Sequence, residues 1–142
     1  MIEVWVIADD NEFCKLVEMD LDELNPTIEY FESIFDAQNH YGSPNYIFLD
    51  LGGILGPGFY GLGHSVKTEH EMIRRLHEAH QSAIIFIYSA IKYNAREVAK
   101  ELSDITILLD EQSPLKHIKW MEAKPKAVIS DLSHGKAENK MV

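Results

Sequence analysis

Acidic side chains follow two apolar runs of the sequence, at the points where those runs end. Asp9 and Asp10 come directly after the apolar run that opens the chain, and Asp50 comes directly after the run YIFL. A hydroxyl group, that of Ser89, follows a third such run. Carboxylate oxygens are ligands that Mg²⁺ takes in proteins, and a carboxylate beside such an ion can accept a phosphoryl group. These residues therefore predict a divalent metal site with phosphoryl chemistry.

These side chains can meet only if the apolar runs are strands of one parallel sheet. Short apolar runs alternate with amphipathic segments along the chain, which is typical of α/β proteins with helices on both faces of a parallel sheet. The carboxyl ends of parallel strands lie at one edge of the sheet. We therefore expect Asp9, Asp10, Asp50 and Ser89 to converge at that edge. The predicted strands are residues 2–8, 27–31, 46–50, 83–88 and 105–109, and a short sixth strand could follow at 126–129.

The amphipathic segments predict five helices, because their apolar residues recur with the 3.6-residue period of an α-helix. The predicted helices are residues 11–24, 33–41, 65–80, 94–102 and 114–123. The side chains expected to face the sheet are Phe13, Leu16, Val17, Leu21 and Leu24 in the first helix and Val66, Ile73, Leu76 and Ala79 in the third. His70, His77 and His80 also lie on the third helix. We expect them to be solvated, because their spacing does not complete a zinc-protease motif.

Length and charge limit the class of protein. The chain has 142 residues and a formal net charge of −10, which disfavours nucleic acid or an anionic membrane as a partner. Its one cysteine, Cys14, cannot form an internal disulfide and suggests a reducing compartment, so we expect a cytoplasmic protein without a secretory signal. We expect one domain over residues 1–132 and a flexible polar tail over 133–142.

A glycine-rich segment follows Asp50. Six glycines lie between residues 52 and 63, and glycine permits conformations that other residues avoid. The spacing at residues 58–65 is that of a P-loop, but His64 stands where the phosphate-binding lysine is required. We therefore interpret this segment as a mobile lid or a flap that binds a partner.

The placement of the polar residues resembles that in receiver domains of two-component response regulators. The resemblance covers residues 2 to 123 and implies a doubly wound, mainly parallel five-stranded sheet of order 2-1-3-4-5 with helices on both faces. It also implies that Asp9, Asp10 and Asp50 bind Mg²⁺. Asp50 would accept a phosphoryl group from a histidine kinase, and Ser89 would donate a hydrogen bond to that group.

The sequence departs from the receiver pattern after the fifth predicted strand. Receivers carry a lysine there that pairs with the phosphoryl group, whereas this chain has Asp110, Glu111 and Gln112. The position of the family's aromatic switch corresponds to Leu108 or a neighbour, and the loop after the acceptor is lengthened. Lys92, in the loop after Ser89, could replace the missing lysine.

We interpret the chain as a divergent receiver-like signalling or regulatory module that is not a turnover enzyme. The implied partner is a protein, either a histidine kinase or a downstream effector. We expect no nucleic acid and no membrane as partners, and a monomer or weak homodimer.

A second resemblance starts from the same aspartate. Residues 50–55, DLGGIL, are similar to the nucleophile motif of the haloacid dehalogenase superfamily, with Ser89, Lys124 or Lys126, and Asp131 at the later motif positions. This alternative implies a Mg²⁺-dependent phosphohydrolase with Asp50 as its nucleophile. Two predicted strands precede Asp50, and a glycine occupies the position of the usual general acid. Both observations favour the receiver interpretation.

Overall fold

The structure is a computed structural model that describes residues 2–8, 10–51, 66–88, 92–109 and 114–123. Strands and helices alternate along these residues, as the sequence predicts. The strands are β1 (Glu3–Ile7), β2 (Thr27–Phe31), β3 (Tyr46–Asp50), β4 (Ile84–Tyr88) and β5 (Thr106–Leu108). The helices are α1 (Asn11–Asp20), α2 (Ile34–Asn39), α3 (Val66–Ala79), α4 (Lys92–Glu101) and α5 (Pro114–Glu122), and a 3₁₀ turn (Asp22–Leu24) follows α1.

The five strands form one sheet in the order β2-β1-β3-β4-β5, and every neighbouring pair is parallel. β3 lies at the centre, and all five of its residues are buried. A strand that is covered on both faces must be apolar on both faces, which is why the run YIFL shows no alternation with polar residues. The predicted fold class and strand order are confirmed.

Each face of the sheet carries its own hydrophobic core, because alternate side chains of a strand point to opposite faces. On one face, Val6 and Phe48 pack with the inward residues of α1 and α5. On the other face, Ile7 and Leu49 pack with residues of α2, α3 and α4. Truncating a fully buried ring such as that of Phe48 to alanine should lower the free energy of unfolding by about 3–5 kcal/mol.

Short-range polar contacts set the ends of the first two helices. Asp10 caps α1 by accepting a hydrogen bond from the backbone amide of Glu12 at 2.9 Å. Ser33 caps α2 in the same way, through the amide of Asp36 at 3.4 Å. After the 3₁₀ turn, Asn25 adopts a left-handed conformation with φ of 50°, which asparagine tolerates better than most residues. Helix α1 itself ends at Asp20, earlier than the predicted end at residue 24, and the 3₁₀ turn takes up the remaining residues.

Two residues predicted to face the sheet do not do so. Leu16 is 52% exposed, because the buried stripe of α1 runs through Phe13 and Val17 and Leu16 lies beside that stripe. Ala79 at the end of α3 is exposed as well.

The buried stripe of α3 differs from the predicted one. Among the side chains described in this helix, from His70 onward, it consists of Met72, Ile73 and Leu76, and it continues past the helix to His80. The apolar period identified the centre of this stripe correctly. It did not predict Met72 or His80, and it wrongly included Ala79; the side chain of Val66 lies outside the described residues, so that prediction stays untested.

Three predicted features lie outside the described residues. They are the glycine-rich segment 52–63, the short sixth strand at 126–129 and the polar tail 133–142. The domain boundary at residue 132 therefore stays a prediction.

Candidate functional site

The last residue of β3 carries the predicted acceptor carboxylate. Asp50 pairs with Tyr88, the last residue of β4, and it is only 6% exposed. The neighbouring strands end at the same level, because the amide of Ala8 bonds to the carbonyl oxygen of Phe31 and the amide of Leu109 to that of Ile87. Asp50 therefore lies at the carboxyl edge of the sheet, where open α/β sheets bind their ligands.

The position of Asp10 follows from the first turn of α1. As the N-cap of that helix, Asp10 directs Oδ1 at the amide of Glu12, and its carbonyl oxygen accepts a bond from the amide of Cys14 at 3.2 Å. A negative charge at this position is also stabilised by the positive end of the helix. Helix capping, which is the simpler explanation of an acidic residue here, accounts for one oxygen of Asp10. The second oxygen is not needed for the cap.

The pKa of the Cys14 thiol is affected by the negative charges of both Asp10 and Asp50, so both carboxylates lie near this thiol. Burial raises the pKa of Cys14 above its ordinary value, and the negative charges of Asp10 and then Asp50 raise it further. Cys14 lies one helical turn after Asp10, a spacing that could have identified it from sequence. From sequence, Cys14 suggested only a reducing compartment, and its place near the two carboxylates was not predicted.

Two rings close the same region from the side of α1. Phe13 and Tyr88 stack with centroids 4.5 Å apart and an interplanar angle of 16°. The sequence did not predict this pair, because its patterns identified Phe13 only as a core residue and Tyr88 only as the end of a strand.

Asp9 and Ser89 lie outside the described residues, as do Asp110 and Glu111. Of the four predicted site residues the structure describes Asp10 and Asp50, whose charges both reach Cys14, and the convergence of all four stays a prediction. Within the described ranges, no group of three or more histidine, cysteine or acidic side chains is arranged to hold a metal ion.

By their chemistry, the two described carboxylates suit a hard divalent cation. Mg²⁺ commonly takes only one or two carboxylates from a protein and completes its octahedral shell with water and substrate oxygens. Asp50 and the second oxygen of Asp10 could supply such ligands. The thiol of Cys14 is a soft donor, and its raised pKa keeps it protonated and unsuited to coordination.

His80 corrects the expectation that the three histidines of the third helix are solvated. It is 8% exposed, its Nε2 lies 3.0 Å from the carbonyl oxygen of Ala37, and its ring stands edge-on to Trp5 at 4.6 Å. His70 and His77 are half-buried, and one ring nitrogen of each is buried without a hydrogen-bond partner among the described residues. These histidines belong to the packing around α3.

Comparison with known proteins supports a fold but no close relative. No protein-family model matches the chain, and no curated protein sequence matches it significantly. Solved structures do match. A response regulator from Thermotoga maritima is 15% identical with a TM-score of 0.59, and the match covers 87% of this chain and 99% of that one. A CheY-like receiver domain protein from Methanospirillum hungatei is 11% identical with a TM-score of 0.56, over 86% and 91% of the two chains.

The chain has the fold of a response regulator receiver domain. A third structure with this receiver fold is a response regulator protein from Burkholderia pseudomallei, which holds a phosphorylated aspartic acid and a calcium ion. It is 14% identical with a TM-score of 0.52, over 96% of this chain and 87% of that one. The resemblance seen in the sequence is thus confirmed at the level of the receiver fold. In the described part of the chain, no helix is both long and apolar enough to cross a membrane.

Proposed function

We propose that the chain is a receiver-like regulatory module in which Asp50 accepts a phosphoryl group. The observation that carries this proposal is the position of Asp50. It is a nearly buried carboxylate at the carboxyl end of the central strand of a receiver fold, close enough to Asp10 for both to act on Cys14.

The proposed reaction is a direct transfer to the carboxylate. One oxygen of Asp50 attacks phosphorus, a new oxygen–phosphorus bond forms, and the bond between phosphorus and the donor breaks. The electron pair of the broken bond leaves with the donor fragment, which is acetate when acetyl phosphate is the donor. The product is an acyl phosphate on Asp50, and we propose that Ser89 donates a hydrogen bond to one of its oxygens.

We propose that Asp9, Asp10 and Asp50 hold a Mg²⁺ ion at this site. When bound, such an ion offsets the repulsion between the carboxylate and the incoming phosphoryl oxygens. The role of Asp10 would be divided, since Oδ1 caps α1 and the other oxygen would remain for the ion. The cap keeps the carboxylate of Asp10 at the sheet edge whether or not the ion is bound.

The residues after β5 should make the transfer slow. The amide of Leu109 continues the pairing with β4, so Asp110 and Glu111 follow the strand directly. These acidic residues take the place of the lysine that receivers use to pair with the phosphoryl group. A negative charge there opposes the arriving phosphoryl oxygens, and we expect weak uptake and a readout that depends on a protein partner, either a kinase or an effector.

The test is the gain of a phosphoryl mass on the intact protein during incubation with acetyl phosphate or phosphoramidate and Mg²⁺. We expect slow uptake by the parent and none by Asp50→Asn. Asp22→Asn is the matched control, because Asp22 is an exposed aspartate away from the sheet edge and should behave as the parent. Glu111→Lys should increase the uptake by restoring a positive charge after β5.

Two outcomes would overturn this proposal. Sustained hydrolysis of para-nitrophenyl phosphate that disappears in Asp50→Asn would favour the phosphohydrolase with Asp50 as nucleophile. Absence of uptake in the parent and in Glu111→Lys would leave a fold that regulates by binding alone. We expect no such hydrolysis, because a hydrolase also needs a general acid or base and Gly52 occupies the usual position.

A further inference from the structure

A cavity of about 390 Å³ lies at the amino end of the sheet, opposite to the edge that carries Asp50. It is lined by residues 42–44, which lead from α2 into β3, and by residues 78–82, which lead from the end of α3 into β4. All of these residues belong to the described part of the chain. Sites for small molecules typically have volumes of about 300–1,000 Å³. The cavity is therefore large enough for a small ligand.

Backbone bonds hold the walls of this cavity in place. The amides of Ser43 and Asn45 both donate to Glu3, to Oε2 at 3.1 Å and to the carbonyl oxygen at 2.8 Å respectively. The amide of Ile84 donates to the carbonyl oxygen of Asn45 at 3.1 Å, which joins the first wall to the strand that follows the second. A site with fixed walls binds more readily, because little of it has to be ordered when a ligand enters.

The polar groups of the lining can accept hydrogen bonds. Nε2 of His80 lies 3.0 Å from the carbonyl oxygen of Ala37, so in the neutral ring Nε2 carries the hydrogen and Nδ1 is an acceptor. No hydrogen-bond partner for Nδ1 is found among the described residues. Glu78 adds an exposed carboxylate, and Ser43 and Ser82 add hydroxyl groups. A ligand that is rich in hydrogen-bond donors would match this lining.

The charge around the cavity favours a cation. Glu78 and Ala79 are the last two residues of α3, and the carboxyl end of a helix is the negative end of its dipole. The side chain of Glu78 adds a negative charge there, and no lining residue is a lysine or an arginine. The whole chain also has a formal net charge of −10. An anionic ligand would therefore be repelled from this cavity.

We propose that the cavity binds a small organic cation of the guanidinium class. A guanidinium group presents several N–H donors in one plane and keeps its positive charge at all ordinary pH values. It can donate to the carboxylate of Glu78 and to Nδ1 of His80, while its charge interacts favourably with the end of α3. The site does not depend on phosphoryl transfer, because it lies at the beginning of β3 and Asp50 lies at the end of that strand.

The competing explanation is a groove between two loops that holds only water. n-Butylguanidinium chloride and n-butylurea are matched probes, because their shapes are similar and only the first carries a charge. The measurement is a titration followed by the NMR shifts of the backbone amides of residues 42, 43 and 78–82, at an ionic strength kept constant with NaCl. We expect saturable shifts with n-butylguanidinium in the millimolar range and no saturable shifts with n-butylurea.

Two variants test the lining. Glu78→Gln should weaken the binding of n-butylguanidinium by about fivefold, the upper end of what an exposed ion pair contributes. The matched control is Glu101→Gln, because Glu101 is the exposed last residue of α4 and does not line the cavity. Ser82→Leu places a bulky side chain in the cavity and should abolish the shifts. Asp50→Asn should bind the probe as the parent does, which separates this site from the proposed phosphoryl site.

Three results would overturn the proposal. The first is the absence of saturable shifts in the parent, and the second is equal binding of the two probes, which would show that charge is not recognised. The third is equal weakening in Glu78→Gln and Glu101→Gln, which would indicate general attraction to an acidic surface. If Ser82→Leu does not fold, the comparison of Glu78→Gln with Glu101→Gln still decides. The proposed function is unaffected by these results, since no phosphoryl donor is present.

Discussion

The carboxylate of Asp20 accepts a hydrogen bond from the backbone amide of Leu115 at 2.6 Å, although the two residues are 95 positions apart in the chain. Leu115 is the second residue of α5, and the first amides of a helix have no partner within the helix. The last residue of α1 therefore caps α5. A second link, between Lys119 and Glu23 at 2.6 Å, lies on the surface nearby. Together these contacts tie α5 to the end of α1, on the face that carries Asp50.

Removing the cap should loosen α5. We expect Asp20→Ala to lower the free energy of unfolding by about 1 kcal/mol, because the amide of Leu115 loses an acceptor and the helix loses a favourable negative charge at its start. Urea unfolding followed by circular dichroism measures the change. Asp22→Ala removes an exposed carboxylate two residues away and should have little effect. Equal stability of the two variants would show that the bond to Leu115 contributes nothing.

Gly42 lies against the ring of Trp5 and should not accept a side chain. A Cβ atom at Gly42 would lie 2.7 Å from Cζ2 of Trp5, whose indole is completely buried. We expect Gly42→Ala to lower the free energy of unfolding by about 1–3 kcal/mol, because the ring or the loop must shift. Thermal unfolding gives the stability, and Trp fluorescence reports the local change. The neighbouring Ser43→Ala should be nearly neutral, and the idea fails if both variants are equally stable.

Cys14 can report the charge at the candidate metal site. Its pKa is raised by burial first and then by Asp10 and Asp50, so the thiolate is scarce at neutral pH and reaction with iodoacetamide should be slow. Asp50→Asn removes one negative charge and should lower the pKa, which increases the rate of alkylation at a fixed pH near 8. Mg²⁺ bound by these carboxylates should act in the same direction.

The control for Mg²⁺ is NaCl at equal ionic strength, and the control for the substitution is Asp22→Asn. The rate is followed by the mass of the alkylated protein, which has no other cysteine. If millimolar Mg²⁺ leaves the rate unchanged in the parent and in Asp50→Asn alike, the carboxylates do not hold the ion near Cys14.

Two tyrosines should make the stability fall at high pH. Burial, and hydrogen bonds to Glu122 and Glu18 respectively, raise the pKa of Tyr46 and Tyr30 far above the ordinary value near 10. Above that value the unfolded chain loses protons that the folded protein keeps, so the free energy of unfolding decreases as the pH rises. Below it the contribution is fully present.

The expected result is a decline in urea midpoint above about pH 10, with a smaller slope in Tyr46→Phe. Absorbance at 295 nm should show that some of the six tyrosines ionise only at higher pH or on unfolding. Tyr41 is fully exposed, so Tyr41→Phe should keep the parental slope. An identical slope in Tyr46→Phe would contradict the assignment for that residue.

The sequence alone determined which segments are strands and helices and where Asp50 lies. Apolar runs that end at glycine, proline or acidic residues are local signals, because a buried strand must be apolar along its whole length. The run before Asp50 therefore located β3 to the residue. The order of the strands came from the resemblance to receivers and was not derivable from the residues themselves.

Only the tertiary structure decided which side chains meet. The burial of His80 depends on Ala37, the exposure of Leu16 on which side of α1 the sheet covers, and the cap of α5 on Asp20. In the candidate site, the stack of Phe13 on Tyr88 joins residues that belong to separate elements. A periodic pattern fixes the spacing of side chains within one helix or strand, but it carries no information about the neighbouring element that covers them. That choice is made when the helices pack onto the sheet.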